Sequence, residues 1–369
     1  MEQRRKNLTQ LFIPICLETL LYMLSGMVDT LMLSSVNDQA VGAVGTANTY
    51  IGIFIIMFSV ISSGMVAVMT QNIGAGRPGV AYQARQLGLA FNAVLGIIMS
   101  LFLSLGAGTI LSGVGVADAL MQPAKTYLQI VGGFCILNAL IPICSSYLRA
   151  FGFSKEPLYA SIPGNVINFC LNAFFLFVLH KGVAGVATAT VISRIINLVI
   201  VVLLGAVLVK AKQHPERESN REVMGQIIRI GLPSACETAI YNVSMTLVIR
   251  FLNQMDAQGL NVTARSYTMQ ITNFSYCVGA ALAQANAIMT GWHIGAKEYD
   301  ACDRGTRKAA IIGVIVAVIL ETMFALCSGW IMQLFSKDPQ MVSLVGKLLA
   351  IDIVLEICLL YTSDAADDL

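Results

Sequence analysis

Charged side chains are scarce in this chain of 369 residues. Only 12% of its residues are Asp, Glu, Lys or Arg, whereas 56% are hydrophobic, and the mean hydropathy is +0.74. A soluble domain carries about 25% charged residues, so this composition excludes an ordinary water-soluble globular protein. The net charge of +2 is small and the basic residues are dispersed among short loops, so we expect no binding to nucleic acid.

Residues that carry catalysis or hold metal ions are also few. The three histidines lie near predicted helix ends or in a polar linker, and the nine cysteines contain no CxxC spacing. The sequence has no GxSxG, HExxH or P-loop motif. We therefore expect no enzyme, no ATP hydrolysis, no cofactor and no disulfide framework.

Long apolar runs are what the sequence has in abundance. A helix needs about 20 apolar residues to cross a bilayer. Runs of about this length or longer lie near 11–33, 47–70, 87–111, 127–148, 158–179, 184–209, 227–252, 262–290, 308–335 and 340–360. They are too long for barrel strands and do not alternate in polarity. The sequence therefore predicts an all-α, polytopic membrane protein embedded in a lipid bilayer.

A polar linker at 210–224 divides the chain into two related halves. The halves align at their starts with a constant offset, and the identical pairs are Pro14 and Pro233, Glu18 and Glu237, Thr19 and Thr238, Tyr22 and Tyr241, and Ser25 and Ser244. We interpret this as an internal duplication. Six spans separate the two starts, so the repeats are parallel and should enclose a cavity between two helical lobes.

The predicted lobes are unequal in size. Residues 1–209 form an N-terminal lobe of six spans, and 225–360 supply four of the six spans expected of a second lobe. The acidic segment 361–369 is unlike what precedes it, so we expect a non-native tail on a C-terminally truncated chain. Most basic residues between spans fall on the N-terminal side of the membrane, which predicts a cytoplasmic N-terminus and a cytoplasmic linker.

The first span carries a polar stripe. Glu18, Tyr22, Ser25 and Asp29 lie at i, i+4, i+7 and i+11, which places them on one helix face. Because an acid at mid-membrane costs about 2.5–3.5 kcal/mol, we predict that the stripe faces a hydrated interior. The alternative is that these groups only form hydrogen bonds with neighbouring helices. Val248 takes the place of Asp29 in the second half, so a proton or cation site there would belong to the first lobe alone.

Two further spans of the first lobe have polar faces. Amide oxygens can ligate a hard cation, although hydrogen bonding between helices is the simpler explanation. An arginine near mid-span is expected to pair with an acid. The residues concerned are Asn165, Asn168 and Asn172 in the fifth span and Thr190, Arg194 and Asn197 in the sixth.

Several motifs at span boundaries resemble the MATE family of multidrug and toxin extrusion transporters. In chain order they are VDTLMLSSV (28–36), TQNIGAG (70–76), LRAFGFSKEPLY (148–159), NVINFCLN (165–172) and GVATATVIS (185–193). The resemblance covers essentially 8–360. It implies a multi-pass protein of the bacterial inner, or plasma, membrane that is built from two six-helix lobes. It also implies antiport, in which organic and often cationic compounds leave the cell in exchange for H⁺ or Na⁺.

The same resemblance implies which residues carry ion coupling. Asp29, Asn168 and Thr190 match the first-span acid, the fifth-span amide and the sixth-span hydroxyl of the family's cation site, and they are the candidate ligands for Na⁺. Asn172 departs from the family pattern, which often has Asp there, and this leaves Asp29 as the principal ionisable group. Glu237 resembles the acid of the seventh span.

The remaining polar candidates are expected to line the substrate cavity or to couple the second lobe. They are Glu18, Tyr22, Ser25, Tyr241 and Arg194, together with Glu237. We expect a monomer that handles small organic substrates. A flippase for lipid-linked saccharides is the alternative function, although it should carry more basic residues in its cavity, and a membrane-embedded enzyme or channel is a more remote one.

Overall fold

The computed structural model describes residues 6–34, 38–113, 118–209, 216–255, 260–333 and 339–367, and no β-strand occurs within these ranges. Residues 210–215 of the predicted linker and 368–369 of the predicted tail lie outside them. The helices are α1 (Leu8–Ser34), α2 (Asp38–Gly74), α3 (Pro78–Gly113), α4 (Asp118–Tyr127), α5 (Ile136–Ala150), α6 (Glu156–Ala173), α7 (Gly182–Leu208), α8 (Asn220–Met255), α9 (Leu260–Gly295), α10 (Tyr299–Leu326), α11 (Ser328–Met332) and α12 (Pro339–Asp367).

Every predicted span coincides with one helix or with two consecutive helices, and the all-α membrane fold is confirmed. Six of the described helices are long and apolar enough to cross a membrane, and α4 with α5 forms a seventh if this pair, bent by 43°, is counted as one crossing. Helices α8, α9 and α12 occupy the spans predicted near 227–252, 262–290 and 340–360. Helix α12 continues to Asp367, through most of the predicted tail.

Two spans contain a widened turn that the apolar runs do not reveal. A π-helical turn at Leu128–Gly132 joins α4 to the short break before α5, and a second at Phe174–Val178 follows α6 directly. Turns of this type are rare and occur frequently at functional sites. Both lie next to polar residues of the first lobe, since Tyr127 precedes the first turn and Asn172 the second.

Much of the helix surface remains apolar outside the cores. Phe102, Leu105 and Val207 are among the large side chains that are more than half exposed. Such a surface would be unfavourable in water and is suited to lipid. Inside the bundle, one cluster of buried residues extends from α1 through α2 and α3 to α8 and α9, so the two halves share a hydrophobic core.

Glycines allow the two halves to approach closely at one end of the bundle. Helix α2 packs against α8 and α9, and α1 packs against α9. A Cβ atom at Gly64 would collide with the backbone carbonyl of Ile227, and one at Gly295 would collide with that of Gln71. Small residues of this kind let helix backbones pack directly against one another in membranes. The halves are therefore closed along α2 in this arrangement.

Candidate functional site

A polar cavity of about 580 Å³ lies within the first half, and we call it the larger cavity. It is bordered by α1, α2, α4, α6 and α7, while Gln270 of α9 contributes a side chain from the second half. Both halves therefore line it. Residues of the predicted site that face the cavity are Tyr22, Ser25, Asp29, Asn168, Thr190 and Arg194.

The carboxylate of Asp29 is held by an amide of α6. Asn172 Nδ2 donates to Asp29 Oδ1 at 2.6 Å and also to Asn168 Oδ1 at 3.2 Å. Asn168 and Asn172 are four residues apart and thus neighbours on one helix face, and they are 4% and 0% exposed. Asp29 is only half-buried, so the group that can carry charge lies at the border between the packed helices and the cavity.

The amide group of Asn172 is oriented by the acid that it contacts. An ionised carboxylate only accepts hydrogen bonds, so Asn172 must present its NH₂ group to Asp29. Its carbonyl oxygen then points away, and this oxygen is buried without a hydrogen-bond partner among the described residues. The NH₂ group consequently lies between the oxygens of Asp29 and Asn168. A cation ligated by both oxygens would have to occupy the same place.

Thr190 borders the same cavity from α7. Its hydroxyl donates to the backbone carbonyl of Val186 at 2.9 Å, and the side chain is 7% exposed. This bond to the preceding turn fixes the direction of the hydroxyl oxygen, which keeps its capacity to accept. The structure thus brings Asp29, Asn168 and Thr190 to one cavity, and Asn172 lies buried behind them in hydrogen-bond contact with Asp29 and Asn168. Their role in coupling stays a prediction.

A second cavity of about 320 Å³, the smaller cavity, lies nearer the start of α1. It contains an ion pair between Glu18 Oε2 and Arg149 Nη2 at 2.6 Å, with side chains that are 17% and 8% exposed. Arg149 also donates to the side chain of Gln284 in α9. This charged group therefore links α1 and α5 of the first half to the second half.

Arg194 lies near both a tyrosine and an acid. Its described hydrogen bond runs from Nη2 to the hydroxyl of Tyr22 at 3.3 Å, and its charge also attracts the carboxylate of Asp29. Its pairing with an acid stays a prediction. Glu18 is already engaged by Arg149. Arg149 reaches Glu18 from α5, near the start of α1, whereas Arg194 on α7 lies further along α1 and borders both cavities.

Two counterparts in the second half, Glu237 and Tyr241, lie on the surface of the part of the chain that the structure describes. Glu237 and Tyr241 are exposed on α8, and neither lines the two cavities. Their proposed roles in the substrate cavity or in second-lobe coupling remain predictions.

Sequence reasoning missed Arg149 and Gln284 as functional candidates. Arg149 falls at the end of an apolar run, where a basic residue is ordinarily read as an interfacial charge. Gln284 lies 135 positions away from it in the chain. No local pattern connects the two, so only the packing of α9 against the first half reveals their contact.

A helical bundle with a lipid-facing surface and a polar cavity shared by two repeated halves has the architecture of a secondary transporter. The family model MatE matches residues 14–174 and 233–363, which together are most of the chain. The matched segments begin at Pro14 and Pro233, the first pair in the internal repeat. The chain belongs to the MATE family of transporters.

Individual relatives agree with this assignment. The "Uncharacterized transporter YisQ" of Bacillus subtilis is 32% identical over 349 residues, which cover 93% of this chain and 76% of that protein. The "Probable multidrug resistance protein NorM" of Thermotoga maritima is 24% identical over 369 residues, with coverage of 93% and 75%.

Solved structures share the fold. An outward-facing multidrug resistance MATE family transporter matches with a TM-score of 0.78 at 20% identity, over 96% of this chain and 78% of that one. A MOP superfamily transporter of Pyrococcus furiosus matches with a TM-score of 0.80 at 18% identity, over 96% and 80%. At these identities the matches demonstrate a common architecture.

Proposed function

We propose that this chain exports organic, often cationic, compounds in exchange for protons, and that Asp29 takes up and releases the coupling proton. The observation that supports protons as the coupling ion is the position of the NH₂ group of Asn172, which donates hydrogen bonds to both Asp29 and Asn168. A proton needs only one acid with access to water. Asp29 is such an acid, since it is half-buried and borders the larger cavity.

Sodium has more demanding requirements. A hard cation takes several oxygen ligands directed at one point. Here the space between the oxygens of Asp29 and Asn168 is filled by hydrogen-bond donors, and the free carbonyl oxygen of Asn172 points elsewhere. The arrangement therefore favours H⁺ over Na⁺ as the coupling ion.

Protonation of Asp29 changes the contact between α1 and α6. The ionised carboxylate accepts a charge-assisted hydrogen bond from Asn172, which is about twice as strong as a neutral one. Neutralisation weakens this bond and loosens the packing of α1 on α6. A cationic substrate in the larger cavity favours the ionised form instead. Two ligands that favour different states of one group can exchange across the membrane.

The remaining parts of the proposal concern placement. A monomer in the plasma membrane with a cytoplasmic N-terminus would have the smaller cavity and the glycine contacts of α2 on its cytoplasmic side. The closed packing along α2 would then be the seal of an outward-facing state. The relatives named as multidrug resistance proteins support the export of small organic molecules.

The coupling ion can be tested with purified protein in proteoliposomes. Export of a cationic dye such as ethidium is driven either by a pH gradient at equal Na⁺ or by a Na⁺ gradient at equal pH. We expect transport with the pH gradient alone. Equal transport with the Na⁺ gradient alone would refute proton coupling, and flipping of a lipid-linked saccharide without dye transport would favour the alternative function.

A further inference from the structure

The two cavities meet at a single layer of residues that spans four helices. Five residues line both cavities, and we call them the dividing layer: Tyr22 of α1, Ile55 of α2, Asn165 of α6, and Arg194 and Asn197 of α7. On α1, Glu18 lies on one side of this layer and Asp29 on the other, about 16 Å apart along the helix. The cavities are therefore stacked along α1, with one acid in each.

The dividing layer is polar, so aliphatic packing is not what separates the cavities. Ile55 is its one apolar member. The side-chain oxygen of Asn197 is buried without a hydrogen-bond partner among the described residues. Such an oxygen is suited to bind water. Water molecules bound there would conduct protons between the cavities, because each water molecule both donates and accepts hydrogen bonds.

Arg194 supplies the one feature of the layer that opposes this passage. Its guanidinium is held by the Tyr22 hydroxyl at 3.3 Å, level with the boundary. The charged groups on either side are Asp29 in the larger cavity and Glu18 with Arg149 in the smaller one, where the ion pair at 2.6 Å already engages Glu18. A fixed positive charge at a polar constriction excludes cations and protons.

We propose that Arg194 is an electrostatic barrier that stops protons from passing between the larger and the smaller cavity when no substrate is transported. This role rests on the proposed proton antiport, since a barrier matters only where Asp29 exchanges protons with one side at a time. Tyr22 acts as the positioning residue that keeps the guanidinium in the dividing layer.

The test measures proton flux without any substrate. Purified protein is reconstituted with an internal pH-sensitive dye, and a K⁺ diffusion potential drives protons inward. The variants are Arg194→Gln, Arg194→Lys and Tyr22→Phe, compared with the unmodified chain. Arg85→Gln is the matched control, because Arg85 is also an arginine of a spanning helix, packed over the ring of Tyr147 at 4.5 Å, but lines neither cavity.

We expect Arg194→Gln to raise the substrate-free proton flux by about 10- to 1000-fold, the range by which the charge lining a cleft changes the local ion concentration. Arg194→Lys keeps the charge and should remain within about twofold of the unmodified chain by the same reasoning. Tyr22→Phe should leak to a smaller but measurable degree, and Arg85→Gln should not leak.

A proton flux in Arg194→Gln no higher than in the unmodified chain would overturn the proposal. Equal increases of the flux in Arg194→Gln and Arg194→Lys would also overturn it, because the changed shape of the side chain, and not the lost charge, would then be the cause. If Arg194→Gln does not purify as a folded protein, Tyr22→Phe serves as the test. An unchanged proton flux in Tyr22→Phe would then overturn the proposal that Arg194 is a barrier. Failure of the proposed antiport is seen separately, as absence of proton-driven dye export by the unmodified chain.

Discussion

Replacing Asn172 by Asp tests how the candidate site selects its ion. The substitution keeps the size of the side chain but turns the donor that contacts Asp29 Oδ1 at 2.6 Å into a second carboxylate. Two carboxylates about 4 Å apart repel each other by about 4 kcal/mol at an effective dielectric constant of about 20. A cation bound between them, with Asn168 Oδ1 as a further ligand, removes this repulsion.

We therefore expect Asn172→Asp to gain Na⁺ binding. The full repulsion corresponds to nearly three orders of magnitude in affinity, and sharing of a proton by the two acids offsets part of it, so an increase of about 10- to 100-fold is expected. The assay is dye accumulation in everted membrane vesicles driven by an outward Na⁺ gradient at equal pH, together with Na⁺ titration of the purified protein.

Asn165→Asp is the matched control for this prediction. Asn165 lies on the same helix and lines the larger cavity, but it forms no described hydrogen bond with Asp29. It adds the same charge without forming the carboxylate pair, so we expect no gain of Na⁺-driven export. An Asn172→Asp protein that inserts normally and shows no change in Na⁺ response would refute the reasoning, as would an equal gain in the control.

Two further variants test the packing of the closed arrangement. Gly64→Ala overpacks the contact of α2 with α8, which costs about 1–3 kcal/mol and should shift the conformational equilibrium about 5- to 150-fold away from this arrangement. Spin-label distances between the two halves measure this shift. The control is Gly52→Ala, whose added methyl group meets open space, so its distances should not change. Glu18→Gln leaves Arg149, which is 8% exposed, without its acid and should lower the free energy of unfolding by about 3 kcal/mol. Thermal unfolding in detergent measures this loss, with Glu222→Gln at an exposed position as the control. Equal melting temperatures of the two variants would contradict a stabilising role of the ion pair.

The residues that sequence could place are those whose neighbours follow from helical periodicity. The stripe from Glu18 to Asp29 predicts one polar face, and the structure puts Tyr22, Ser25 and Asp29 on the larger cavity. The spacing of Asn168 and Asn172 likewise predicts two amides on one face, which the hydrogen bond between them shows.

Contacts between distant segments could not be predicted, because helical periodicity relates only residues that are close in the chain. Glu18 pairs with Arg149 131 positions away, and Arg194 forms its described hydrogen bond with Tyr22, 172 positions away. The π-helical turn at Phe174–Val178 is also invisible in an apolar run, because all of its side chains are hydrophobic. Periodicity fixes which residues share a face but not which helix that face meets.

The central claim is that Asp29 carries the coupling proton, and substrate-dependent proton movement in Asp29→Asn proteoliposomes tests it most directly. Asn preserves the shape of the side chain but cannot exchange a proton. The account predicts normal insertion, dye binding similar to the unmodified chain or weaker, and no proton flux when dye is added on the loading side. Dye-dependent proton flux equal to that of the unmodified chain would contradict the account.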